Sequence, residues 1–174
     1  MNRIVRRLTA ADAAAYRDIR LEALLAEPSN FGSDHAHELA FTEAEWARRA
    51  AVPGTYGVFD ADRLIGIATL RGEELAKTRH RAHVNGVYVI PATRGTGAST
   101  ALFEAMIAEA RGLFLQLHLV VSVHNERARR FYERFGFVVY GTDPRGLNVD
   151  GRYTDDYLMV LRLDEGSRKV TDSE

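Results

Sequence analysis

Hydrophobic and polar positions change period several times along the chain, and each change predicts an element. Arg3 to Leu8 reads as a short strand. From Thr9 the spacing turns helical, with Tyr16, Ile19 and Ala23 on one face, Asp12 completing a weaker capping box and Pro28 marking the end. Ser29 to Ala40, with His35, His37 and Glu38, is polar without a period and reads as a solvated loop. Thr42-x-x-Glu45 is a capping box that opens a second helix, and Phe41 is spaced to staple onto Trp46. Thr55 to Asp60 and Arg63 to Leu70 predict a hairpin about Asp60-Ala61-Asp62, followed by a charged loop from Gly72 to His80.

The central strand, Arg81 to Ile90, alternates at period two, which predicts His83, Asn85, Val87 and Val89 on one face. Gly86 inside it marks a bulge or a close backbone approach. After Pro91 the residues Leu102, Phe103, Met106, Ile107 and Ala110 recur at helical spacing. Leu117 to Val123 is a further strand, and Ala128, Phe131, Tyr132 and Phe135 form the apolar stripe of another helix. Val138 to Thr142 and Tyr153 to Leu163 read as two last strands around a loop from Pro144 to Gly151. The expectation is one α/β domain over residues 1–163 and a polar tail over 164–174.

Between the central strand and its helix stands Arg94-Gly95-Thr96-Gly97-Ala98-Ser99. The first amides of a helix have no intrahelical partner and sit at the positive end of the macrodipole. Glycine beside them lets a ligand approach the backbone, so a phosphate or pyrophosphate is the natural guest. A P-loop is excluded, because no lysine follows Gly97. A dinucleotide fingerprint is excluded too: Thr100 occupies the third glycine position, and Pro91 to Arg94 separate strand from turn.

The turn resembles the acyl-coenzyme A loop of the GNAT N-acetyltransferases, Arg/Gln-x-x-Gly-x-Gly/Ala, with Arg94, Gly97 and Ser99 on its positions. Ser99 departs from the pattern by one hydroxymethyl group. Asn125-Glu126-Arg127-Ala128-Arg129-Arg130-Phe131-Tyr132, continuing to Gly136-Phe137, resembles the family's second motif, Asn-x-x-Ala-x-x-Phe-Tyr-x-x-x-Gly-Phe. The segment Gly151-Arg152-Tyr153-Thr154-Asp155 is similar to one in small bacterial members. The resemblance implies a mixed, mostly antiparallel sheet of about seven strands with about four helices and a splayed central strand pair. It implies acetyl-CoA as co-substrate, held by Val87, Tyr88 and Val89 on the central strand, by Arg94, Gly95, Thr96, Gly97, Ala98 and Ser99, and by Asn125 and Ala128. It implies Tyr132 as general acid and directs the search for a base to His83, where relatives carry Glu nearby. The acceptor expected is a small-molecule amine or a peptide N-terminus, chosen between Leu21 and Trp46, and a homodimer is compatible with the family.

Each assignment has a plainer alternative. Tyr132 is also a core aromatic by its spacing, Asn125 also a helix cap, and His83 also a satisfied strand-end histidine. Asp155 and Asp156 either face a cationic acceptor or solvate a hairpin. The same fold without catalysis would make an acyl-CoA sensor, and an ATP-binding module would need magnesium ligands that are not evident. Composition narrows the field further. The 174 residues carry a formal charge of −1, which suggests neither a nucleic-acid nor a membrane-surface partner. The apolar runs are too short for a membrane span and the first residues do not read as a signal peptide, so a cytoplasmic protein is the expectation. There is no cysteine, hence no thiolate metal site and no thiol nucleophile, and the acetyl group is expected to pass directly to the amine or through a nucleophile other than thiol. No metal site is expected.

Overall fold

A computed structural model describes residues 3–164. Seven strands form one sheet in the order β1-β2-β3-β4-β5-β7-β6. They are β1 (Arg3–Arg7), β2 (Thr55–Asp60), β3 (Arg63–Gly72), β4 (Arg81–Val89), β5 (Gln116–Ser122), β6 (Val138–Val149) and β7 (Arg152–Arg162). Only β4 and β5 run parallel; every other neighbouring pair is antiparallel. Five α-helices accompany them: α1 (Ala13–Ala26), α2 (His35–Leu39), α3 (Glu43–Ala50), α4 (Ala98–Ala110) and α5 (Glu126–Arg134). The polar tail expected after Leu163 lies, apart from Asp164, outside the described residues.

Four of these helices, α1, α3, α4 and α5, form where the apolar spacing predicts them. Leu102, Phe103 and Met106 of α4 are fully buried, each contributing roughly 1.5–3 kcal/mol by leaving water. Phe103 also gathers α5 onto α4, its ring lying 5.0 Å from Phe131, 5.4 Å from Tyr132 and 5.3 Å from Phe135. The Thr42 box closes in both directions, Glu45 N–H donating to Thr42 Oγ1 and Thr42 N–H to Glu45. Phe41 and Trp46 meet at 5.4 Å, as a hydrophobic staple requires.

Three expectations change. Ser29 to Ala40 is no solvated loop: Asp34 caps the short helix α2, and Glu38 is only 1% exposed. Its carboxylate accepts from Arg20 Nε at 3.0 Å and Nη2 at 2.7 Å, and from Arg49 at 3.3 Å. A buried carboxylate survives when paired this fully, and Arg20 lies 18 residues away in sequence, where no local pattern shows it. The loop expected over Pro144 to Gly151 is mostly strand. β6 runs to Val149 with an irregularity between Asp143 and Leu147, and the chain reverses at Asp150-Gly151, with φ values of 51° and 81°. An Asp-Gly pair suits that reversal, because both central residues of a type I′ turn need positive φ.

The third change is in β4. Asn85 pairs with Thr69 and Tyr88 with Ile67, so Gly86 and Val87 together oppose Ala68. Gly86 takes φ 62° in this bulge. The extra residue advances the alternation by one. Tyr88 joins His83 and Asn85 on their face, while Val89 pairs with Gly66 and moves to the face of Val84.

Candidate active site

β4 and β5 pair only over Arg81↔Gln116, Ala82↔Leu117 and His83↔His118. Past that point the strands part, because the Gly86 bulge redirects β4 while β7 holds β5 straight along Gln116 to Ser122. The parting opens into a cavity of about 1250 Å³. Gly86, Val87, Tyr88 and Val89 form one wall; Val121 and Ser122 of β5 form the other. Arg94, Gly95 and Ser99 close one end, Asn125, Ala128 and Tyr132 border it from α5, and Tyr16, Arg20, Phe31 and Arg49 approach from the N-terminal helices.

At the glycine turn the donors are backbone. Gly97 is the N-cap of α4 with φ 91°, and no side chain caps the helix. The first intrahelical bond runs from Ala101 N–H to Gly97 O at 2.9 Å, which leaves the amides of Ala98, Ser99 and Thr100 without helical partners. A side chain at Gly95, φ 76°, would meet nothing within 4 Å, so this bend is open to a ligand. Arg94 is committed elsewhere. Its Nε donates to Val89 O at 2.9 Å, its Nη2 pairs with Glu27, and its guanidinium lies 5.4 Å over the Tyr88 ring. Arg3 clasps Thr96 O from β1. Arg3 and Arg94 both brace the turn, Arg94 also bordering the cavity, and the amides at the start of α4 are left as free donors. Thr96, Gly97 and Ala98 build the turn and the cap but do not line the cavity.

Asn125 caps α5, its Oδ1 accepting from Ala128 N–H at 3.1 Å, and the cap fixes where the helix begins. Two turns on, Tyr132 is 8% exposed, packed on Phe103 and Phe137, and borders the cavity. Burial, followed by the nearby Glu27 carboxylate, pushes its phenol above the ordinary value, so it stands protonated. Tyr88 is different: its hydroxyl donates to Glu22 at 2.9 Å, and burial with that carboxylate raises it to about 12.

His83 is not brought to the cavity. Its Nε2 pairs with Glu73 at 2.9 Å, against an adjoining cavity of about 260 Å³ bordered by Arg71, Gly72, Glu73 and Glu74. Glu73 is held down to about 2 by its hydrogen bond from Thr78 and then by His83. His118 stacks at 5.6 Å from His83 and accepts from Arg81 Nε at 3.2 Å; burial lowers its pKa. The two hairpin aspartates also part company. Asp155 is exposed and accepts from Arg145 N–H at 2.8 Å, whereas Asp156 is buried and lines the main cavity. Glu27 gives no signal in the sequence, since a lone acid at a helix end carries no pattern. Among the described residues no group of histidines and acids could hold a metal.

A splayed parallel pair, an uncapped helix start and a tyrosine on the next helix are the arrangement of an acetyltransferase fold. Residues 17–137 match the acetyltransferase (GNAT) family, and the chain belongs to that family. A curated relative from Mycobacterium tuberculosis, an uncharacterized N-acetyltransferase, is 34% identical over 103 residues, covering 58% of this chain. The match spans 62% of that relative's length. A GCN5-related N-acetyltransferase from Kribbella flavida superposes with TM-score 0.76 at 25% identity, over 92% of this chain and 97% of its own. A Salmonella typhimurium structure, solved with its cofactor acetyl-CoA, has the same fold: TM-score 0.77, 23% identity, 99% and 100% coverage.

Proposed function

We propose that the protein is an N-acetyltransferase that moves an acetyl group from acetyl-CoA to a primary amine, on a small molecule or a peptide N-terminus, by direct attack. The observation that carries this reading is one continuous cavity running from the unpartnered amides of α4, through the β4–β5 opening, to Tyr132. The residues fit the coenzyme. Ser99 and the α4 amides suit a diphosphate, Asn125 and the β4 backbone suit the pantetheine arm, and the acetyl-CoA-bound Salmonella relative shares the fold. The coenzyme supplies the activated acetyl group.

The rest is done by the chain. The β4 backbone past Gly86, unpaired toward β5, offers N–H groups to a developing oxyanion. Tyr132 holds a proton for the departing sulfur. Its phenol, raised above ~10, is a weaker acid than a thiol at ~8.5, so that transfer is uphill by at least ~2 kcal/mol. A second proton, leaving the attacking nitrogen, offsets this when it reaches Tyr132 in the same step. Arg20 and Arg49, fixed by Glu38, border the acceptor end. A homodimer belongs to the same reading and is tested by molecular mass in solution. The function itself is tested by incubating the protein with acetyl-CoA and a panel of amines. Release of free thiol together with one added acetyl group on an amine is expected; tight acetyl-CoA binding with no acetylated amine would favour a sensor and overturn the reading.

A further inference from the structure

Asp156 is a buried acid of the cavity wall with a carboxylate oxygen left unpartnered. It sits on β7 opposite Ser122 of β5 and Asp143 of β6, is 5% exposed, and lines the cavity. Its Oδ1 is buried with no hydrogen-bond partner. A side chain at Gly146 would strike Asp156 Oδ2 at 2.5 Å, so the irregular stretch of β6 leaves room for the carboxylate. A buried, unpaired carboxylate lowers stability, typically by several kcal/mol, and Glu38 in the same fold shows how this chain satisfies an acid when the role is structural.

We propose that Asp156 receives the acceptor amine and takes its proton. The inference rests on the acetyltransferase reading above. A primary amine enters as an ammonium, which cannot attack a carbonyl until an N–H bond breaks. One N–H donates to Asp156 Oδ1, the proton passes to that oxygen, and the nitrogen keeps the electron pair with which it attacks. The second N–H proton leaves through Tyr132 to the sulfur, and the Asp156 proton returns to solvent. In water the first transfer is uphill, from a carboxyl near 3.9 against an amine near 10.4. Burial draws the two together, raising the acid and lowering the ammonium. For Asp156 burial comes first, and the charges of Asp143 and Asp155 add to it, so its carboxyl stands above the ordinary value. The other charged groups on the cavity wall are Arg20, Arg48, Arg49, Arg71, Arg94, Arg127, Arg134, Glu27 and Glu74; Glu27 is paired with Arg94, while Arg20 and Arg49 are paired with Glu38.

The test uses the whole chain with acetyl-CoA and 1,4-diaminobutane, tyramine and glycylglycine as probe amines. Asp156→Asn keeps the shape and removes the charge. Expected are acetyl-CoA affinity like wild type, a melting temperature at neutral pH that does not fall, and kcat/KM lower by about 100-fold or more. The rise of wild-type kcat/KM with pH through this carboxyl should be missing from the variant. In Asp156→Ala, added formate should restore part of the rate by occupying the vacated position. Near-normal turnover in Asp156→Asn overturns the proposal. So does a lower melting temperature with proportionate loss of turnover and no rescue by formate, the signature of a structural residue. A wild type that binds acetyl-CoA yet acetylates none of the probes overturns the acetyltransferase reading, and Asp156's role with it; the first two failures occur with an active wild type and are thereby distinguished.

Discussion

Ser99→Asp is the sharpest probe of the proposed coenzyme site. Gly97 is a poorer one, because at φ 91° any side chain is strained before a ligand arrives. Ser99 sits in the first turn of α4, in helical backbone, and lines the cavity. A carboxylate there should stabilise the free protein slightly, by ~0.3–1 kcal/mol at a helix N-terminus. For a bound diphosphate the sign reverses. A negative charge ~5 Å away, at an effective dielectric of ~20, costs about 3 kcal/mol per opposing unit charge. That corresponds to a loss of roughly 100-fold in affinity. Ser99→Ala removes only a neutral hydrogen bond, worth ~1 kcal/mol. Calorimetric titration with coenzyme A, beside a melting curve for each variant, separates the effects. Coenzyme affinity unchanged in a folded Ser99→Asp would refute the placement of the diphosphate at α4.

Glu38→Gln should destabilise the fold by about 3–5 kcal/mol, measured by denaturant titration, because Arg20 and Arg49 lose their buried counter-charge. Burial alone would raise the Glu38 carboxyl, but the hydrogen bond and charge of Arg20, with Ser33 and Arg49, outweigh it and hold it low. Its contribution is therefore complete above the unfolded-state value of ~4.3 and is lost as pH falls through the lower native value. The variant should lack that part of the acid destabilisation; an unchanged acid profile would refute the pairing. His83→Ala should leave the pH–rate profile intact, since His83 faces Glu73 outside the main cavity. A limb lost in that variant would return His83 to the mechanism.

Much of this is legible in the sequence because the signals are local. The Thr42 box, the hairpin at Asp60-Ala61-Asp62 and the glycine turn each declare themselves within a few residues. What stayed hidden depends on partners distant in sequence. Glu38 looks like a solvated acid until Arg20 and Arg49 arrive from two other helices. The pairing of Arg94 with Glu27, 67 residues away, does not show in the glycine-turn motif. Gly86 announced a bulge, but the face that each later residue adopts follows from pairing with β3, which period-two counting does not contain. In β6, Pro144 suggested a loop and drew attention from Asp150-Gly151, the pair that makes the turn.

Tyr132→Phe isolates the hydroxyl proposed to deliver a proton within the β4–β5 cavity. The ring that packs on Phe103 and Phe137 is kept, so melting temperature should hold. Coenzyme affinity should hold as well, because a proton given in the transition state adds little to ground-state binding. Turnover on any accepted amine should fall by ~10²–10⁴-fold. A variant that melts lower yet turns over normally would make Tyr132 a core aromatic and contradict the account.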